Sequence, residues 1–167
     1  MKLLTPKMYY PNIYEIDYKK LKELGIKCLL FDFDNTCMGY KDKNLSNELI
    51  TLFKKLKKMG FFIIIFSNAR NKRLNQFKEI NIDYNSLSKK PLQIEFKKIL
   101  TKYNYKKEEL CIIGDQIFTD ILGGNRFKIQ TCLVDPLTNK DFIITKLFRQ
   151  IEKRIIKKLK YTTTERK

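Results

Sequence analysis

Short apolar runs alternate along this chain with amphipathic stretches. Lys27-Cys28-Leu29-Leu30-Phe31-Asp32-Phe33 is apolar on both faces of an extended backbone and predicts a buried strand. Leu45 to Met59 carries apolar residues at 45, 49, 52, 53 and 56, which is helical spacing. Gly60 then sits where a glycine ends a helix. Phe61 to Phe66, β-branched and aromatic, predicts a second buried strand. Residues 70–79 have helical character, Ile82 to Leu87 suits a short strand, and Pro91 suits the first turn of a helix running to about Tyr103. Leu110-Cys111-Ile112-Ile113 and Ile129 to Val134 predict two more strands, separated by a short helix over 117–123 that Gly123-Gly124 would end. Lys140 to Lys160 predicts a closing helix.

Strands apolar on both faces and alternating with helices call for an α/β fold: a mostly parallel sheet with helices on both sides, in three layers. Ligands of such sheets bind beyond the carboxyl ends of the strands. Three predicted strand ends carry polar residues there: Asp32 and Asp34, then Ser67 and Asn68, then Gly114 and Asp115.

With 167 residues, one domain over 1–160 and a polar, frayed tail over 161–167 are expected. A hydrophobic share of 43% excludes a disordered or low-complexity chain. The longest apolar run has six residues, against about 20 for a spanning helix. Pro6 interrupts the N-terminal segment before a signal-like apolar region forms, so a soluble chain is expected. There is no histidine, which removes Ser-His-Asp and Cys-His catalysis, histidine zinc sites and imidazole bases together. Cys28, Cys37, Cys111 and Cys132 form no C-x-x-C pair, and three lie in apolar runs. Buried, reduced thiols and a cytoplasmic location are expected.

The formal charge of +17 has two explanations. One is an anionic partner: a lipid surface, nucleic acid or a phosphorylated substrate. The other is compositional drift, since Lys outnumbers Arg 29 to 6, and only clustered charge then counts as a signal.

The chemistry concentrates in Asp32-Phe33-Asp34-Asn35-Thr36. Residues two apart on an extended chain point the same way, so both carboxylates are expected to face one cavity. They repel unless a cation lies between them or one is protonated, and a hard, oxygen-liking cation such as Mg²⁺ suits them, with Asp115 as a third carboxylate. A bare D-x-D pair also suits a helix cap or turn, and it is the ordered addition of Thr36, Ser67, Lys90 and Asp115 that points to a site.

Asp32-x-Asp34-x-Thr36, the hydroxyl of Ser67 ending an apolar strand, Lys90 before Pro91, and Gly114-Asp115 with Asp120 resemble the four motifs of haloacid-dehalogenase (HAD) phosphatases. Phe33-Asp34-Asn35-Thr36, Ser67-Asn68, Lys90-Pro91, Gly114-Asp115-Gln116 with Thr119-Asp120, and Gly123-Gly124-Asn125-Arg126 are similar in particular to the YqeG family of subfamily IIIA. That family is related to mitochondrial phosphatidylglycerophosphate phosphatases, and the resemblance runs from about Leu4 to Lys160.

The resemblance implies a three-layer, Rossmann-like HAD fold and a Mg²⁺-dependent phosphomonoester hydrolase that works through an aspartyl-phosphate. It makes Asp32 the nucleophile and Asp34 the general acid, later the base. Asp32, the Asp34 backbone carbonyl and Asp115 would hold Mg²⁺. Lys90 and Ser67 would hold phosphoryl oxygens, Asp120 would orient a metal-bound water or Lys90, and Thr36, Asn68 and Asn125 would lend support. Lys89 competes with Lys90 for the lysine role, and the residue before proline is the one held extended. Cys37 departs from the aliphatic residue usual after Thr36. With carboxylates nearby its thiolate is disfavoured, so it is assigned to packing.

The intervals from Thr36 to Ser67 and from Ser67 to Lys90 are too short for a cap domain. An open site favours a phosphate on something large or surface-bound, lipid, protein or nucleic acid, and the resemblance, with the basic C-terminal helix, makes phosphatidylglycerophosphate the substrate to expect. At the C-terminus, Ile144, Leu147, Phe148, Ile151, Ile155 and Leu159 form an apolar stripe between basic residues, and 140–167 carries a net +7. Such a basic amphipathic helix either lies on an anionic phospholipid surface, making the protein peripheral on the inner face of the membrane, or docks on the sheet through Leu147, Ile151 and Ile155. Met8-Tyr9-Tyr10-Pro11 and Tyr14 have the same two readings. The alternative function is a basic RNA- or ribosome-associated accessory protein with a vestigial site, although no nucleic-acid-binding signature is present.

Overall fold

Four strands supply the centre of the molecule because their side chains are apolar on both faces. The computed structural model describes residues 2–68, 72–138 and 151–162. Its sheet has six parallel strands: β1 (Met8–Tyr10), β2 (Cys28–Phe31), β3 (Phe62–Phe66), β4 (Asp83–Asn85), β5 (Leu110–Gly114) and β6 (Gln130–Val134). Their order is β1-β6-β5-β2-β3-β4, so β2 lies centrally between β5 and β3.

Alternate side chains divide the interior into two layers. Leu29, Phe31, Ile63, Ile65 and Ile113 face a core closed by α1 (Tyr18–Glu23), α2 (Asn47–Lys58) and α3 (Gln76–Glu79). Cys28, Leu30, Ile64, Phe66 and Ile112 face the other core, against α4 (Ile94–Tyr103) and α5 (Leu122–Phe127). The predicted three-layer α/β architecture is thus the one observed. The amphipathic spacing of α2 buries Leu49, Leu52, Phe53 and Leu56, and Ser46 caps it by accepting a bond from the Leu49 N–H at 3.1 Å. Gly60 follows the helix with φ +83°, a left-handed conformation that glycine adopts without steric cost.

Several expectations need correction. Strand β1 and helix α1 precede the first predicted strand; β1 is buried and pairs with β6, so Met8, Tyr9 and Tyr10 are packing residues. Gly123 and Gly124 lie inside α5 and do not end it. A Cβ on Gly124 would lie 2.6 Å from Ile112 Cγ2 and from Thr131 Cγ2, so its glycine lets the helix close on the sheet. Helix α4 begins at Ile94, not Pro91, because Lys90-Pro91 belongs to a loop bonded to Asn68.

Residues 139–150, which contain Ile144, Leu147 and Phe148, lie outside the described residues, as do 163–167. The described part, helical over 151–156, docks through Ile155, Ile156 and Leu159, whereas Ile151 is exposed. Of the predicted tail over 161–167, Tyr161 and Thr162 lie against the sheet edge. Tyr161 packs on Tyr9 at 4.5 Å between ring centroids, and Thr162 Oγ1 accepts a bond from the Tyr9 N–H at 2.9 Å. No described helix is long and apolar enough to cross a membrane.

Candidate active site

The carboxyl ends of β2, β3 and β5 deliver the polar residues to one place. Asp32 follows β2, and its N–H donates to the Ile113 carbonyl at 2.8 Å, which extends the pairing of β2 with β5 by one residue. The Asp32 carboxylate is fixed by Lys90, with Nζ 2.6 Å from Oδ1. The same ammonium lies 2.7 Å from Asp120 Oδ1. Asp115 follows β5, and Thr36 Oγ1 lies 3.2 Å from Asp115 Oδ1 and 3.4 Å from Asp32 Oδ2. Asp32, Asp115, Asp120, Thr36 and Lys90 are all buried.

Local backbone chemistry produces this convergence. Asp120 stands on a π-turn, Ile117–Ile121, that leads into α5. Its Oδ2 accepts a bond from the Gln116 N–H at 3.1 Å. The carboxylate passes so close to Gly114 that any Cβ there would collide with it. Asn68 holds the Lys90 backbone from both sides: its Oδ1 accepts from the Lys90 N–H at 2.7 Å, and its Nδ2 donates to the Lys90 carbonyl at 2.9 Å. Ser67 is buried at the end of β3, its carbonyl accepting from the Ser88 N–H at 2.8 Å. Lys89 is exposed with φ +52°, so of the two lysines only Lys90 reaches the carboxylates.

The strand alternation that would put Asp34 on one face with Asp32 stops at Phe31, where β2 ends, yet Asp34 stays near enough for its charge to act on Asp32 and for Lys90 to act on it. The Asp34 carboxylate turns to Arg73, Nη2 to Oδ1 2.5 Å, at the mouth of the site. Asn125 donates to the Leu3 and Thr5 carbonyls, each at 2.9 Å, and so ties the N-terminal segment to α5 outside the cluster. Arg73 is the residue that the sequence did not single out.

Charge in the cluster does not balance. Among the described residues, Asp32, Asp115 and Asp120 bring carboxylate oxygens within 4.8 Å of one another, against the single ammonium of Lys90. Burial pushes the Asp32 carboxyl up to about 6, although Lys90 pulls it down. Burial works against the Lys90 ammonium, yet Asp120 and Asp32 outweigh it and hold its proton more tightly than in an ordinary lysine. Burial followed by the Asp32 charge pushes the Cys37 thiol up, which suits packing and not nucleophilic attack. An all-oxygen donor set with surplus negative charge, out of water, matches a hard divalent cation.

The family model described as mitochondrial PGP phosphatase matches residues 1–138. The chain is 36% identical over 160 residues to probable phosphatase YqeG of Bacillus subtilis, covering 95% of this chain and 93% of that one. It is 26% identical over 174 residues to phosphatidylglycerophosphate phosphatase 1, chloroplastic/mitochondrial, of Arabidopsis thaliana, covering 93% of this chain and 48% of that one. Among solved structures, a putative 3-deoxy-D-manno-octulosonate 8-phosphate phosphatase from Vibrio cholerae superposes with a TM-score of 0.55 at 21% identity, over 79% of this chain and 75% of that one, which shows the fold. The match over most of the length, joined to motif residues that fold to one sheet edge, places the chain in the mitochondrial PGP phosphatase family of HAD-type phosphatases.

Proposed function

We propose that this phosphatase hydrolyses phosphate monoesters through an aspartyl-phosphate on Asp32, and that phosphatidylglycerophosphate is its substrate. The observation that carries the mechanism is the Lys90 ammonium, 2.6 Å from Asp32 and 2.7 Å from Asp120 and buried with both. A phosphoryl group docked there meets a positive charge on its equatorial oxygens and a carboxylate in line with phosphorus.

In the first step an Asp32 oxygen bonds to phosphorus as the bond to the leaving oxygen breaks, and the Asp34 carboxyl gives that oxygen its proton. Water then attacks the phosphorus of the acyl phosphate and returns a proton to Asp34. Inorganic phosphate leaves, and the Asp32 carboxylate is restored. Lys90 and Ser67 hold the phosphoryl oxygens, while Thr36 and Asn68 fix Asp32, Asp115 and the Lys90 loop. Asp32, the Asp34 carbonyl and Asp115 would hold Mg²⁺, with Asp120 beside them; when bound it neutralises charge on the phosphoryl oxygens.

The substrate assignment is supported by the family description and by the printed name of the Arabidopsis relative, of which the chain spans about half. Among the described residues, α2 intervenes between β2 and β3, and a 3-10 turn over Lys72–Asn75 with α3 between β3 and β4, too little for a cap domain, which is consistent with an open site. Around the docked residues Ile155, Ile156 and Leu159, the side chains of Lys153, Arg154, Lys157, Lys158 and Lys160 remain outside. That exposed basic face supports peripheral contact with anionic phospholipid on the cytoplasmic side.

The test is phosphate release from p-nitrophenyl phosphate, then from phosphatidylglycerophosphate in vesicles, with Mg²⁺ and with chelator. Mg²⁺-dependent turnover surviving in Asp32→Asn would falsify the mechanism. Equal rates on vesicle-borne and small soluble phosphates would remove the substrate assignment alone.

A further inference from the structure

Arg73 makes more polar contacts at the mouth of the site than any motif requires. Its Nη2 lies 2.5 Å from Asp34 Oδ1. Its Nη1 donates to the Gly39 and Asp42 carbonyls, both at 3.0 Å. The guanidinium carbon lies 4.7 Å from the Phe33 ring centroid, and that ring is fully buried. The flat fork is therefore held from below by an aromatic face and from one edge by two backbone carbonyls, which sets the direction in which it presents Nη2. Asp42 Oδ2 in turn accepts a bond from the Gly39 N–H at 2.7 Å, which closes the loop the fork grips.

We propose that Arg73 is the positioning residue of proton transfer: by holding Asp34 Oδ1, it turns Oδ2 toward the leaving oxygen. The inference rests on the reading of Asp34 as general acid and goes beyond it, because it assigns the orientation of that acid to a residue outside the four motifs. A carboxyl group with one oxygen accepting from a guanidinium carries its proton on the other, so the fork fixes both the rotamer of Asp34 and the proton-bearing atom. Lysine at 73 would supply charge without the fork, so it could not hold the loop carbonyls and Asp34 in one plane.

The experiment separates proton delivery from other roles by the leaving group. p-Nitrophenolate departs without a proton, whereas phenolate needs one, so kcat/KM for the two aryl phosphates is compared in wild type, Asp34→Asn, Arg73→Gln and Arg73→Lys. Since kcat/KM covers steps only through formation of the aspartyl-phosphate, it reads the leaving-group proton directly. In Arg73→Gln the ratio of p-nitrophenyl phosphate to phenyl phosphate should rise by about tenfold or more, as in Asp34→Asn, with Arg73→Lys between these and wild type. Adding Arg73→Gln to Asp34→Asn should cost little more on phenyl phosphate, because the residue then has no acid to orient. Equal losses on both substrates, or a fully additive double variant, would overturn the proposal while leaving Asp34 as the acid. An unchanged ratio in Asp34→Asn would instead remove the general-acid reading and the proposal with it. Should Arg73→Gln not fold, the Arg73→Lys ratio decides: unchanged from wild type, it overturns the proposal.

Discussion

The Glu152 carboxylate accepts a hydrogen bond from the Ile117 N–H at 2.7 Å, and the same oxygen accepts another from the Phe118 N–H at 3.1 Å. These are amides of the turn that carries Asp120, so the C-terminal segment holds one wall of the site. Glu152 is buried, and the amides it satisfies would otherwise lack a charged acceptor at the start of the turn.

Glu152→Ala should therefore cost about 1.5–3 kcal/mol, lowering the urea midpoint by about 1 M, and Glu152→Gln, which keeps an acceptor, should cost less. Turnover per folded molecule should fall in Glu152→Ala because Asp120 loses its support. A midpoint within error of wild type would show that the turn holds itself.

A second prediction concerns Lys90. Lys90→Met removes the ammonium shared by Asp32 and Asp120 and leaves three buried carboxylates facing one another. Breaking a buried pair in this way should cost roughly 3–5 kcal/mol when divalent cations are chelated. With the competing ammonium gone, Mg²⁺ should bind more tightly and stabilise this variant more than it stabilises wild type. Thermal melts in chelator and in Mg²⁺ check this. An equal gap for both proteins would mean that the ion does not share the Lys90 site.

The glycines predict contrasting outcomes. A Cβ at Gly124 meets Ile112 Cγ2 and Thr131 Cγ2 at 2.6 Å, so Gly124→Ala should destabilise by about 1–3 kcal/mol through lifting α5 from the sheet. A Cβ at Gly114 collides with the Asp120 carboxylate, so Gly114→Ala should lose turnover by a larger factor than Gly124→Ala at equal folded fraction. Denaturation midpoints together with activity at matched folded fraction test the contrast. The same activity loss in both would dissociate Asp120 from the chemistry.

What the chain disclosed before folding followed from periodicity. Cys28 to Phe31 and Phe62 to Phe66 are apolar on both faces because helices cover both faces, and the polar residues after such strands had to sit at the carboxyl edge. β1 was hidden because three residues between Pro6 and Pro11 carry no period, and its partner β6 lies more than a hundred residues away. The hold of Arg73 on Asp34 could not be read from alternation, because the strand stops at Phe31. Arg73 carried no signal in so basic a chain. Glu152 did carry one: a lone acid three residues before Ile155 and seven before Leu159 stands on the apolar stripe, where a charge persists only if something inside answers it.

The four thiols give a pH prediction whose sign is fixed by burial. Cys28, Cys37, Cys111 and Cys132 are free and buried. Burial is the main cause that pushes each thiol above its ordinary value of 9.0. Above that pH the unfolded chain releases thiol protons that the folded chain keeps, so the folded state binds more protons and stability must fall as pH rises. Tyr18, whose phenol burial lifts well above 10.0, adds to the same slope at higher pH. Each thiol contributes at most about 1.4 kcal/mol per pH unit in that window. Once the Asp32 carboxyl has titrated near pH 6, urea midpoints should be flat from about pH 7 to 8 and drop steeply between about pH 9 and 11. Native protein should react slowly with a thiol reagent at neutral pH, and unfolded protein should react at all four positions. A midpoint unchanged through that alkaline range, or rapid labelling of the folded protein, would place at least one thiol outside the core.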